Sequence, residues 1–401
     1  MAEPTFDSYF HSSREAFSRL MIPAQGEVQG DPVENWRACF LDLFPPSRDS
    51  PKAISLRLAE KTLKGFFTVR RQWEPSLLTY ADAVVVPSKG AAYDGSTGLA
   101  LPRSYLTRMP NDMQAPHCLA FHLEPRWQWT GHSTLKEALY LPFNHYDIFG
   151  HFVTETLSYL WPFLNSSPIS ENPIPVILSG GESGELVEHV CSVVENAGYL
   201  PIFEADLPSL FGVSKLIIPE ATLHLHAMSS TAYIRAAESF GHWAMGRAGS
   251  EELPSEPIEH LYISRSLLEG DVRKVEEEGM LEQQLASLGW KVYHPQLHSL
   301  PHQVATYRLA RLVAGFEGSA LHALALAGFG KKGQGLIVLG DLVSPDYLLQ
   351  FSAQGLPGYY IYCTQPEGGF GGEGYLHLRR RSLLASVEVV VQMLEALARG
   401  F

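Results

Sequence analysis

Leu261-Tyr-Ile-Ser-Arg265-Ser266 and, further along, Gly315-Phe-Glu-Gly318-Ser319-Ala320-Leu-His322 decide how this chain is read. Each places an apolar run directly before a small or polar turn. The first reads as a strand over 260–264 that ends in Ser264 and Arg265. A helix over about 273–288 comes next, with Arg273 at its start. The second reads as a strand over 312–316, a Gly-Ser turn and a helix over 318–328. Strands separated by helices of this length imply a parallel sheet with right-handed crossovers. Both turns then open at carboxyl ends of strands, where open α/β folds bind their ligands. A helix start offers backbone N–H groups to an anion, and an arginine adds a bidentate contact. Together the turns predict a cradle for a phosphate-bearing ligand.

The alternation continues on both sides. Strands are expected at 290–294, 335–339 and 359–363, with helices at 299–310 and 343–353. Upstream, Ile174-Pro-Val-Ile-Leu178 is a strand, Glu185 to Asn196 a helix closed by Gly198, and 199–203 and 215–219 are strands. Residues 146–164 read as one aromatic, apolar helix. Residues 76–130 read as short β elements, among them Ala83-Val-Val-Val-Pro87, with turns at Lys89-Gly90 and Asp94-Gly95. Residues 1–75 look helical or loop-like. The polar, proline-containing stretch 246–257 separates the two blocks as a linker. The expected fold is α/β: a domain over 1–246 with a β-rich lead, a linker over 247–257, a second domain over 258–382 and a C-terminal helix over 383–401 that packs back. The ligand cleft is expected between the two domains.

Composition narrows the function. The chain has 401 residues, with 45% apolar and 18% charged side chains, an ordinary globular balance. Its formal charge of −13 leaves no basic stripe for nucleic acid and disfavours adhesion to an anionic membrane. No run approaches the roughly 18 apolar residues of a membrane span. The acidic start Met1-Ala-Glu-Pro lacks the pattern of an export signal, so a cytoplasmic location is expected, with peripheral contact at the inner face of a membrane left open. Cys39, Cys118, Cys191 and Cys363 lie far apart and read as reduced core cysteines.

A second candidate site lies in Gly150-His151-Phe-Val-Thr-Glu155. His151 and Glu155, four positions apart, share a helical face in an otherwise apolar segment. An imidazole and a carboxylate so placed are buried partners or a base for a hydroxyl proton. Glu317 would repel a phosphate and suits a ribose or sugar hydroxyl better; His322 is a site residue or a satisfied core histidine. Arg273, taken alone, fits equally a surface pair with the acidic run Glu276–Glu278. His224-Leu-His226 has no supporting ligand at a metal-like spacing, so no metal is expected. Arg379–Arg381 reads as a solvated helix entry, and the glycine-rich 368–374 as a loop over a cleft.

In their order and spacing these segments resemble glycosyltransferase family 61 in its bacterial form. The resemblance runs from Ala81-Asp-Ala-Val-Val-Val and Tyr93-Asp94-Gly95 through Phe149 to Glu155, Tyr262 to Arg265 with Arg273, and Pro301-His-Gln303 with Ala310, to Gly315–His322. It implies an inverting, metal-independent enzyme with two Rossmann-like domains of the GT-B type and no cofactor. A nucleotide-sugar donor, such as a UDP-sugar, would bind the C-terminal domain, and a glycan or glycolipid acceptor the N-terminal one. It places Ser264, Arg265 and Arg273 on the diphosphate, the backbone of Gly318, Ser319 and Ala320 on the donor, and Glu155, with His151 beside it, as the general base that takes the acceptor hydroxyl's proton. Two departures stand out: Glu155 where the family pattern has Asp, and Glu317 where it often has His.

The expected function is therefore transfer of a hexosyl or pentosyl group in bacterial surface polysaccharide synthesis. The rival expectations are a non-catalytic nucleotide- or sugar-binding module and a nucleotide-sugar epimerase of similar shape. Sugar, base, acceptor, linkage and oligomeric state leave no mark in the sequence.

Overall fold

The alternation of apolar strands and helices builds two large sheets in the computed structural model, beside a three-stranded and a two-stranded one among the described residues. It describes residues 22–23, 36–40, 68–70, 74–86, 91–99, 101, 131, 133–142, 149–164, 173–178, 184–208, 210–225, 228–249, 253–268, 274–330, 333–340, 345–352, 356, 358–366, 382–384 and 386–400. The chain divides into two units, one of Met1–Val69 with Ala244–Phe401, the other of Arg70–Trp243.

In the unit Arg70–Trp243, a six-stranded sheet runs Ala91–Asp94, Leu77–Val86, Phe211–Pro219, Ser133–Leu141, Pro175–Leu178, Leu200–Phe203 across its width. The last four are mutually parallel, and Leu77–Val86 is antiparallel to both its neighbours. Its core gathers Val85, Tyr140, Ile177, Phe211, Val213 and Ile218, all buried. Helix Glu185–Asn196 ends where expected: Gly198 takes φ 83°, and Tyr199 N–H returns to the Val194 carbonyl at 3.1 Å.

The other unit holds a seven-stranded sheet. Six strands are parallel, in the spatial order Trp36–Phe40, Gly358–Tyr362, Gly335–Gly340, Ala310–Phe316, Ile258–Ile263, Lys291–Tyr293. Ile22–Pro23 pairs antiparallel at the edge with Trp36–Phe40. Counted from Ile258–Ile263, the five C-terminal strands lie 2-1-3-4-5, one of the two common orders of doubly wound α/β sheets. Near-continuous apolar strands such as Gly335–Gly340, buried along its whole length, are what a sheet covered on both faces requires. Helix Val387–Ala398 packs back onto this sheet through Val390, Leu394 and Leu397, beside Leu281, Leu285 and Trp290. Fully burying such a side chain contributes about 1.5–3 kcal/mol. Trp290 Nε1 fixes the helix by donating to Glu395 at 2.6 Å.

Sequence expectation and structure differ in places. Trp36–Phe40 is a strand of the C-terminal sheet, whereas the sequence suggests helix or loop over 1–75 and an N-terminal domain over 1–246. Residues 146–164 do not make one helix. Helix Phe149–Thr154 gives way to short 3₁₀ turns at Thr156–Tyr159 and Trp161–Phe163. Thr154 Oγ1 back-bonds to the Gly150 carbonyl at 2.9 Å and Pro162 supplies no N–H, both of which break α-helical pairing. The helix expected from 273 starts at Glu278, because Glu277 stands in the left-handed region at φ 61°. The C-terminal helix starts at Val387, and Ser382–Leu384 pairs instead with Thr364–Pro366. Arg273, His226, Gly368–Gly374 and Arg379–Arg381 lie outside the described residues.

Candidate active site

The candidate site residues gather in two clusters, one in each unit. In the C-terminal sheet, Ile263 pairs with Gly315 on the neighbouring strand, so Ser264–Arg265 and Glu317–Gly318 leave the sheet side by side. These strands are first and third in chain order, and the crossovers diverge between them. That is the topological switch point, where such sheets bind ligands. The strands approach closely here: a methyl group on Gly315 would lie 2.8 Å from the Ile263 carbonyl oxygen.

Arg265 joins the two turns. Its Nη1 donates to the Glu317 carbonyl at 2.6 Å, and the same atom lies 3.5 Å from where a side chain on Gly318 would begin. The guanidinium is thus held at the switch point, with further N–H groups in its fork. The turn beneath it is fastened from below. Glu278 Oε1 accepts the Arg265 backbone N–H and the Tyr262 hydroxyl, each at 3.1 Å. Ser264 Oγ donates to Glu282 and accepts the Ser266 N–H at 3.0 Å. Burial pushes the Glu278 carboxyl up to about 7, against the pull of Arg265 and Tyr262.

The second turn is fastened from the side. Gly318 N–H donates to the Tyr347 hydroxyl at 2.6 Å. The Tyr347 ring stacks on His322, centroids 4.5 Å apart, and His322 Nδ1 meets Gln350 Oε1 at 2.5 Å. The Glu317 carboxylate takes the Tyr360 hydroxyl at 3.1 Å, over Gly340, where a Cβ would fall 3.0 Å from its Cδ. So Glu317 presents its carbonyl to Arg265 while its carboxylate is drawn along the sheet. Only a short helix, Ser319–His322, intervenes before a 3₁₀ turn.

In the other unit, strands Ser133–Leu141 and Phe211–Pro219 lie adjacent and parallel, although the chain visits Pro175–Leu178 and Leu200–Phe203 on the far side between them. This is again a switch point, and the His151–Glu155 segment sits at its carboxyl end. Thr222, just past Phe211–Pro219, donates its N–H at 3.0 Å and its hydroxyl at 2.9 Å to the Ser158 carbonyl. Trp161 Nε1 donates to the Glu220 carbonyl at 2.9 Å, and Tyr233 Oη to the Val153 carbonyl at 3.0 Å. On that anchored turn, His151 Nδ1 meets Glu155 Oε2 at 2.5 Å. The imidazole is 30% exposed and the carboxylate 3%. A buried carboxylate thus fixes the tautomer and orientation of a partly exposed imidazole, the arrangement that prepares a histidine as a base.

The structure therefore brings together Ser264, Arg265, Glu317 and Gly318, sets His322 one turn further on, and pairs His151 with Glu155. Sequence reading missed Tyr262, Glu278, Glu282, Tyr347, Gln350 and Tyr360, which hold these residues. Glu278 hides in an acidic run that resembles solvated surface, and the tyrosines look like ordinary strand and helix core. Among the described residues no group of three or more His, Cys, Asp or Glu comes together as a metal site, and no helix is long and apolar enough to cross a membrane.

Residues 149–332 match the family model described as Glycosyltransferase 61. The match begins at the helix carrying His151, just before Glu155, and runs past the Gly318 turn, so His151, Glu155, Ser264, Arg265, Glu317 and Gly318 lie within it. No curated protein matches the chain.

Proposed function

We propose, from the match of residues 149–332 to the family model described as Glycosyltransferase 61, an enzyme of the GT-B type that moves a sugar, with inversion, from a nucleoside-diphosphate sugar to a hydroxyl of a glycan or glycolipid, in building a bacterial surface polysaccharide. One observation carries the base assignment: the hydrogen bond of His151 Nδ1 to the buried carboxylate of Glu155. The acceptor oxygen attacks the anomeric carbon, its proton passes to His151 Nε2, and the bond to the diphosphate oxygen breaks with its electron pair. Glu155 holds the ring and stabilises the imidazolium that forms. The expectation that Glu155 itself takes the proton yields, in this proposal, to His151, because the carboxylate is the more buried of the two.

Arg265 meets the negative charge that grows on the leaving diphosphate, with Arg273 assigned to the same role. Its tether to the Glu317 carbonyl keeps it in place before the reaction, so little reorganisation is needed. In this reading the backbone of Ser319 and Ala320 completes the donor contacts, while Ser264, held by Glu282, and Gly318, whose N–H is taken by Tyr347, shape the two turns rather than touch the donor as expected from the sequence. No metal or cofactor enters it.

The test is transfer from a panel of nucleoside-diphosphate sugars, read alongside donor binding by thermal shift. His151→Ala is expected to lower transfer by roughly a hundredfold or more while leaving donor binding intact. Transfer at the parent rate by that variant refutes the assignment. No thermal shift with any nucleoside diphosphate refutes the donor class.

A further inference from the structure

The edge strand Lys291–Tyr293 lies beside Ile258–Ile263, and its last residue is tied to the Arg265 turn: Ser264 N–H donates to the Tyr293 carbonyl at 2.8 Å. Tyr293 opens an ordered group of flat rings. Its Oη lies 2.9 Å from His302 Nδ1, and the two rings are only 8° from parallel at a centroid distance of 5.8 Å. The two rings are thus nearly parallel and tied to each other by that hydrogen bond. His298 stacks over both, 4.7 Å and 10° from Tyr293, 4.3 Å and 9° from His302.

The group is braced from behind. Tyr293 is buried and meets Tyr307 edge-on at 5.9 Å. Gln303 Nε2 donates to the carbonyls of Pro295 at 2.9 Å and His298 at 3.1 Å, which closes the turn that carries His298. Ser299 caps helix Leu300–Leu309 and so sets His302 on its first turn. His298, by contrast, is exposed. A flat ring is thus backed by two others, fixed at its own carbonyl and presented at the carboxyl edge of the sheet. A surface histidine needs none of this for solubility. A planar π-face that another flat ring can cover does.

We propose that the face of His298, backed by Tyr293 and His302, is the stacking surface for the nucleobase of the donor, a reading that rests on the proposed donor site at Arg265. Position supports it. From the gap between Ile258–Ile263 and Ala310–Phe316 to the edge strand is roughly one and a half strand spacings, about 7 Å. A diphosphate at Arg265 therefore has room for its ribose before its base reaches the rings. Stacking reads a base by its flat face, so this surface supplies affinity for nucleosides as a class, and other contacts choose the base.

The experiment measures binding of UDP, CDP, GDP and ADP, with inorganic pyrophosphate as the control without a base, to the parent chain, His298→Ala, His298→Phe and Arg265→Ala. His298 is exposed, so its variants should fold as the parent does. His298→Ala is expected to weaken the best nucleoside diphosphate about tenfold or more, leave pyrophosphate unchanged, and be rescued by the flat ring of His298→Phe. Equal affinity of the parent and His298→Ala for every nucleoside diphosphate, with Arg265→Ala losing it, overturns the stacking surface and leaves the donor site standing. An equal loss for pyrophosphate and nucleotides in His298→Ala also overturns it, since the effect then concerns the phosphates or the fold. Failure of the parent to bind any of these ligands overturns the donor site itself.

Discussion

Replacing Glu278 with Gln should make the unit built on the C-terminal sheet more stable at neutral pH and leave it unchanged in acid. Glu278 is 2% exposed and its carboxyl is pushed from 4.5 up to about 7 by burial. The folded chain therefore holds a proton that the unfolded chain releases between those values. Below about pH 4.5 both states are protonated and the carboxyl's hydrogen bonds contribute in full. As pH rises towards 7 the unfolded state gains by ionising and the folded state loses stability. The span is roughly 2.5 pH units, and at about 1.4 kcal/mol per unit the loss is on the order of 3 kcal/mol. Glutamine keeps an oxygen to accept the Arg265 N–H and the Tyr262 hydroxyl but cannot ionise, so it removes the loss without removing the contacts. At about 2–4 °C per kcal/mol for a unit of this size, the variant should melt roughly 6–12 °C above the parent near pH 7.5. The two melting curves should converge near pH 4.5. Calorimetric scans of both proteins from pH 4.5 to 8 supply the assay. A constant offset across that range, or parallel curves with no offset, refutes the claim that a buried protonated carboxyl supports the Arg265 turn.

Glu204 offers the same experiment in the other unit. Its buried carboxyl, beside Tyr140, is also pushed up to about 7, so Glu204→Gln should flatten the pH dependence of that unit's melting over the same window. Gly315→Ala should destabilise the C-terminal sheet by about 1–3 kcal/mol, because the new methyl, 2.8 Å from the Ile263 carbonyl, forces two strands apart. The same separation moves Ser264–Arg265 away from Glu317–Gly318, so pyrophosphate binding should weaken along with the melting temperature. Unchanged melting would show that the strands part without cost.

What could be read in the sequence is what repeats along it. Apolar runs such as Ile174–Leu178 and Gly335–Leu339, set between amphipathic stretches, fix strands and helices by period alone, and their ends fix which loops meet at a carboxyl edge. The end of Glu185–Asn196 was legible because Gly198 stops the helix there. The strand Trp36–Phe40 was not, since its partner Gly358–Tyr362 lies near the other end of the chain and nothing local announces the pairing. In the site, His151 and Glu155 were found by helical spacing, and the i to i+4 contact forms even though the helix breaks at Thr154. Glu278 escaped because its neighbours are charged and its burial depends on the left-handed turn at Glu277. The stacked rings escaped because a histidine's flatness matters only once a second ring is known to lie parallel to it.

The pairing of Trp36–Phe40 with Gly358–Tyr362 bears on how the molecule comes into being. A chain emerging residue by residue makes this early strand long before its partner exists. Residues 70–243 contain every strand of their six-stranded sheet and can close it while synthesis continues. The other sheet must wait: Trp36–Phe40 lacks its partner Gly358–Tyr362 until the far end of the polypeptide arrives to supply it. Assembly is therefore interrupted and resumed, inner unit first. A ribosome that stalls after residue 243 would leave one finished unit trailing an unpaired strand, the form most open to a chaperone, a protease or the strand of another copy.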